Sequence, residues 1–241
     1  MDNTLSIAQR FCGPTASANG GYICGLVAAF ARENVTVRLF RPPPLDTELA
    51  VEYTNGLLFV RHGENVVAEA RPGSVGDLAV PARPTHDQAV AASREYPGFV
   101  THPAPRCFVC GPERSPGDAL CIYPGIVAPG IVAAPWVPHV SLDAGDGAVR
   151  PEFMWAALDC PGYVAAAPDM RSMLLGELTA DVRRRALIGE TCVAVGWKIA
   201  ASGRKYEAGT AVIDGDGETI AGARAIWIEP RATSPASVPA T

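Results

Sequence analysis

Asp159 is the only charged side chain between Glu152 and Asp169, in a run made otherwise of apolar, small and aromatic residues. Burying an unpaired carboxylate costs several kcal/mol or raises its pKa, so a carboxylate in such a setting needs a partner or a purpose. A raised pKa suits a general base that activates water. A structural role competes, because Pro161 follows Cys160 and a helix stops or kinks there, leaving amides for Asp159 to cap. A second feature is Asn19-Gly20-Gly21, just ahead of an apolar run. Free backbone N–H groups at a helix start stabilise negative charge developing on an oxygen, and glycine lets a ligand approach that backbone closely. The same glycines would also let a helix start pack tightly against a strand. Glu152 offers a further carboxylate, although an acid in the first turn of a helix is ordinary dipole complement.

Other constellations are weaker. Arg183-Arg184-Arg185, with Lys198, Arg204 and Lys205, is the densest positive region of the chain, and arginine forks bind phosphate oxygens well. Cys107-Phe108-Val109-Cys110 invites a zinc reading, with His102 and Cys121 as further ligands. A second CxxC is missing, so buried thiols packing a loop are the preferred reading and no metal is expected. Cys12 and Cys24 have no flanking histidine and are read as structural. The stretches 143–147 and 214–218 hold acids and glycines but lack a full calcium-loop ligand sequence and sit where turns are needed. No GxGxxG, Walker loop, GxSxG or HExxH occurs, which leaves no positive case for nucleotide-dependent, α/β-hydrolase or zincin chemistry.

The elements that must position these residues are short. Gly and Pro together make up 46 of 241 residues, from 24 and 22, which favours many turns between short elements over long helical bundles. With 48% hydrophobic and 19% charged residues the chain is expected to bury a large core as one large domain or two small ones. A net charge of −5 argues against a nucleic-acid partner. The apolar runs are too short to span a bilayer, no secretory pattern opens the chain, and seven cysteines suggest reduced thiols in a cytoplasm.

Apolar periodicity predicts a buried helix over 22–32, then strands over 35–39, 49–53, 57–60 and 66–70. Residues 71–115 read as linker, with a short helix near 88–94. A second series follows: two short apolar runs at 120–127 and 131–137, then a helix-like run at 153–167, and strands at 174–182, 191–200, 205–213 and 219–228. The last twelve residues, rich in Pro, Ala and Ser, are expected to fray. The two series share an order, and residues 65–71 lie over 218–224 with Ala68, Ala70 and Arg71 matching Ala221, Ala223 and Arg224. This is a weak internal repeat.

The helix-then-strands order of each half resembles the hotdog fold, and the pair resembles a double-hotdog member of the acyl-CoA thioesterase superfamily, of the phenylacetate-pathway type. There the helix opens with His-Gly-Gly or a similar tripeptide, and a carboxylate follows in the next turns. Asn19-Gly20-Gly21 matches the glycine pair, but Ala28 holds the carboxylate position. In the second half Arg150-Pro151-Glu152 stands where the tripeptide belongs, while Leu158-Asp159 matches the carboxylate. Each half keeps what the other lacks.

The resemblance implies an α+β, tandem hotdog chain with an antiparallel sheet wrapped around an apolar helix in each half. Residues 1–75 would form the first hotdog, 76–118 a linker, 119–230 the second hotdog and 231–241 a disordered tail. It further implies hydrolysis of an acyl-CoA thioester at one composite site between the halves, without a cofactor. Asp159, Gly20 and Gly21 would be catalytic, and Asn19, Glu152, Arg183 and Arg204 would contact the substrate. The thioester carbonyl is expected at the first helix, since Pro151 has no N–H to give and Glu152 would repel the developing charge. Asp159 must then lie within about 8 Å of the Gly21 amide, close enough for one bridging water. A non-catalytic acyl-CoA or small-lipid binder is the alternative. A hydratase or dehydratase is a third reading, although neither helix carries a histidine. Two copies are expected to pair through open sheet edges.

Overall fold

The computed structural model describes residues 3–31 and 33–231. Arg32, the expected end of the first helix, and residues 232–241 of the expected tail lie outside the described residues. The described residues contain eleven strands. In the first half these are β1 (Asn3–Leu5), β2 (Val35–Leu39), β3 (Leu49–Thr54), β4 (Leu57–His62) and β5 (Asn65–Pro72). The second half contributes β6 (Gly125–Ala128), β7 (Ile131–Trp136), β8 (Leu174–Val182), β9 (Cys192–Ser202), β10 (Lys205–Ile213) and β11 (Thr219–Ile228).

All eleven join one antiparallel sheet in the order β1-β3-β4-β5-β2-β8-β11-β10-β9-β7-β6. The order runs β3-β4-β5-β2 toward the centre in the first half and, mirrored, β8-β11-β10-β9 away from it in the second. The residues matched in sequence also match in burial: Val67 and Ile220, Ala68 and Ala221, Ala70 and Ala223 are all buried. The halves meet at β2 and β8, where Val37 faces Leu178 and Arg38 faces Glu177. Thr36 and Thr179 are opposed there too, their hydroxyls 2.7 Å apart.

The first helix, α1 (Gly20–Ala28), begins two residues earlier than the periodicity predicts, because Asn19 caps it by accepting the Tyr22 N–H at 2.9 Å. It ends earlier because the N–H groups of Phe30 and Ala31 turn back to the carbonyls of Val27 and Ala28. A short helix, α2 (His86–Ser93), is fixed by a capping box between Thr85 and Gln88. The expected run 153–167 is two helices, α3 (Pro151–Ala157) and α4 (Cys160–Ala166). Pro161 cannot continue the helix before it, so the break falls at Leu158 and Asp159.

Helix α1 packs on α3 and on the central strands, while α4 lies on β9 and β10, and these faces share one large core. Helix α2 covers the opposite face of β6 and β7, forming a smaller core with Val193, Val195 and Trp197. The expected linker is therefore well packed: Tyr96, Phe108 and Val109 are buried, and the 107–110 loop is inserted in the main core. No helix among the described residues is long and apolar enough to cross a membrane.

Candidate active site

Gly21 and Gly25 stand one turn apart on the side of α1 that faces α3. A β-carbon at Gly21 would come within 2.6 Å of the Asp159 Cβ and 2.7 Å of the Trp155 carbonyl oxygen. At Gly25 it would meet the Glu152 Cα at 2.6 Å. Two missing side chains thus let the backbones of α1 and α3 approach closely. This approach delivers Asp159, at the break after α3, to the start of α1.

One Asp159 carboxylate oxygen, Oδ2, accepts the Gly21 N–H at 3.0 Å and the Asn19 Nδ2 at 2.8 Å. The other oxygen, Oδ1, is buried and has no hydrogen-bond partner among the described residues. Asp159 makes no side-chain cap on its own helix, α4. Burial is the largest influence on its carboxyl and raises it; the Gly21 N–H opposes this, and the pKa is pushed up to about 7.

Asp159 lines a cavity of about 280 Å³ whose wall comes from both halves. Asn19, Gly20 and residues 39–43 border it from the first half, and Tyr163, Met173, Leu175 and Trp227 from the second. Gly20 is partly exposed there, and its N–H has no acceptor among the described residues. The buried Trp227 indole N–H is likewise unpartnered among them. At the rim stands Arg41, exposed and in no ion pair among the described residues.

The structure thus brings Asp159, Asn19, Gly20 and Gly21 together and sets the other expected contacts apart. Gly21 is corrected as an oxyanion donor, since its N–H is held by Asp159; the amide free for a ligand is that of Gly20. Glu152 does not line the cavity: it lies against Gly25 and is paired with Arg150 at 2.7 Å. Arg183, just past the end of β8, pairs with Asp181, and Arg204 donates to the Glu229 carbonyl across a hairpin. Neither lines the cavity. Arg41 and Trp227 went unnoticed in the sequence, where nothing marks a lone arginine among prolines or a strand tryptophan as cavity-lining.

The cysteines also sort differently from the spacing. Cys107, Cys110 and Cys160 are all buried, with their sulfurs within 4.8 Å of one another, whereas Cys121 lies outside this group. Cys107 is held well below the usual thiol range, chiefly by the Cys110 and Cys160 thiols that donate to it. Cys12 and Cys24 are buried elsewhere, and burial raises both. Asp143 and Asp214 bond backbone N–H groups of their own turns, holding the loops.

No family model matches the sequence, and no curated protein does. Solved structures do match in fold. The TesB protein of Mycobacterium avium subspecies paratuberculosis superposes with a TM-score of 0.60 at 12% identity, over 94% of this chain and 92% of its own. A protein assigned by name to the thioesterases, from Novosphingobium aromaticivorans, gives 0.60 at 14% identity, with 94% of each chain covered. Another, named as a thioesterase II, from Thermobifida fusca, gives 0.58 at 13%, over 95% and 92%. The chain therefore shares the fold of these three structures along nearly its whole length.

Proposed function

We propose that the chain hydrolyses an acyl-CoA thioester at a single composite site between its two halves. The observation that carries this reading is the Asp159 carboxylate, held by Asn19 and Gly21 on one oxygen and unpartnered among the described residues on the other, in the wall of an apolar cavity that also exposes the Gly20 N–H. The thioesterase-superfamily fold supports it. In this scheme the thioester carbonyl oxygen faces the Gly20 N–H, and Asp159 takes a proton from a water molecule through Oδ1. The water oxygen bonds to the carbonyl carbon and the C–S bond breaks. The departing thiolate receives the proton from Asp159, which returns to its carboxylate form. Arg41 is the cation placed at the rim to meet a coenzyme A phosphate.

The two halves are read as a tandem duplication of a hotdog unit, with 1–75 and 119–230 as the units. The mirrored strand orders and the matched burial along β5 and β11 support this. The deciding experiment is a hydrolysis screen over short, aromatic and long acyl-CoAs with thiol release as readout. Turnover of one class sustains the proposal. Saturable binding without turnover of any would replace it with a non-catalytic acyl-CoA binder.

A further inference from the structure

The three-cysteine cluster plays no part in the hydrolytic scheme, and it has the geometry of a metal centre. Cys107 and Cys160 bring their sulfurs to 3.8 Å although they stand 53 residues apart in sequence. Zinc–thiolate bonds of about 2.3 Å in a tetrahedron place neighbouring sulfurs about 3.8 Å apart. The Cys110 sulfur completes a group with all three atoms within 4.8 Å.

The loop that carries two of them is built as a ligand-bearing turn. Gly111 donates its N–H to the Cys107 carbonyl at 3.0 Å, and a β-carbon there would come within 2.5 Å of the Cys107 nitrogen. Asn19 Nδ2 lies 3.8 Å from the Cys107 sulfur and 4.0 Å from that of Cys160. His102 Nδ1 accepts the Ala104 N–H at 2.9 Å, so the neutral ring carries its proton on Nε2, which lies 3.4 Å from the Cys110 sulfur. Every sulfur therefore has an N–H donor beside it, the arrangement that stabilises thiolates around a cation. The tautomer makes His102 a donor to the cluster and not a fourth ligand.

We infer that Cys107, Cys110 and Cys160 bind one thiophilic divalent cation, zinc by the softness and number of its ligands, with the fourth position facing the cavity. On binding, the thiols that are still protonated release their protons to solvent. The cation would tie the 107–110 loop to the start of α4 beside Asp159. The inference goes beyond the hydrolytic reading and does not depend on it, because its readouts are metal content and spectra.

The test uses the full chain, purified under reducing conditions without chelator. Elemental analysis is expected to find about one zinc per chain. Replacement by Co²⁺ is expected to give thiolate-to-cobalt charge-transfer bands and the strong visible bands of a tetrahedral ion. Cys110→Ser should remove roughly a third of the charge-transfer intensity and weaken cobalt binding at least about tenfold. Cys121→Ser, outside the cluster, should change neither. Two outcomes overturn the inference: a reduced wild-type chain that retains no zinc and gives no charge-transfer band on Co²⁺ titration, or a spectrum that Cys121→Ser alters as much as Cys110→Ser. The wild-type titration decides the matter even if Cys110→Ser fails to fold.

Discussion

The Asp159 carboxylate lies 3.0 Å from the backbone nitrogen of Gly21, a residue 138 positions earlier in the chain. A helix start from one half is thus completed by a side chain from the other. If Oδ1 takes the proton of water, Asp159→Asn abolishes thioester hydrolysis, with a loss of about 10²–10⁴-fold in kcat. The amide oxygen can still accept from Gly21 and Asn19, so acyl-CoA affinity is expected to stay within a few fold, as read by calorimetry. Full activity in that variant would leave Asp159 with only a structural role.

Gly20 and Gly21 are adjacent but differ in what surrounds them. A β-carbon on Gly21 meets backbone and the Asp159 Cβ, which cannot yield without separating α1 from α3. On Gly20 it meets the Leu175 side chain, Cδ2 at 2.8 Å and Cβ at 2.9 Å, so Leu175 must shift, but no backbone atom comes as close. Gly21→Ala is therefore expected to destabilise the fold by roughly 1–3 kcal/mol and Gly20→Ala by clearly less. Urea denaturation of the two variants compares them directly, and equal losses would contradict the close helix approach.

Arg41 and Arg183 separate charge in sequence from charge at the site. Arg41→Ala is expected to raise KM for acyl-CoA about three- to tenfold with little change in kcat, an effect that shrinks as salt screens the rim. Arg183→Ala should leave KM unchanged, because that guanidinium is paired with Asp181 away from the cavity. The reverse ranking would move the phosphate contact to the β8 end of the sheet.

Much of the sheet was legible because its period and its turns agree. The strands expected at 174–182, 205–213 and 219–228 are β8, β10 and β11 to the residue, each an apolar-rich run bounded by turn residues such as Gly203 and Gly217. Asp159 was visible as one charge in an apolar run, and Gly20-Gly21 as a pair ahead of another. What was not legible depends on contacts between distant segments. Nothing local links Cys160 to Cys107 and Cys110, so the spacing suggested Cys121, the next cysteine in the chain. The arginine cluster misled because Arg183, Arg184 and Arg185 are paired with Asp181, Glu190, Asp214 and Asp146, which a count of positive residues does not register.

Arg184 bonds both Glu190 and Asp214, each at 2.6 Å. The Arg184 contact holds Glu190 below the usual carboxylate range; for Asp214 burial acts upward but is outweighed by the Glu218 N–H and Arg184. Both acids bind protons more weakly in the fold than in the unfolded chain, so their contribution is complete above the unfolded pKa values. It is lost as pH falls from about 4.5 through the lower folded values. Arg184→Ala is expected to cost on the order of 1 kcal/mol at neutral pH and to flatten the acid limb of stability against pH. An unchanged acid limb would show that the pairs contribute nothing measurable.

The seam between the halves rests on a buried hydroxyl pair, Thr36 and Thr179, 2.7 Å apart. Replacing one threonine by valine leaves the other hydroxyl without its partner, at an expected cost of about 1–3 kcal/mol. Replacing both removes the polar pair, while β-branched residues still suit adjoining strands. Thr36→Val and Thr179→Val should therefore each destabilise the chain, and the double variant should recover part of the loss. A double-mutant cycle by urea denaturation measures the coupling, expected at about 0.5–3 kcal/mol. Simple additivity of the two losses would show that the hydroxyls do not act as a pair and that other contacts hold β2 to β8.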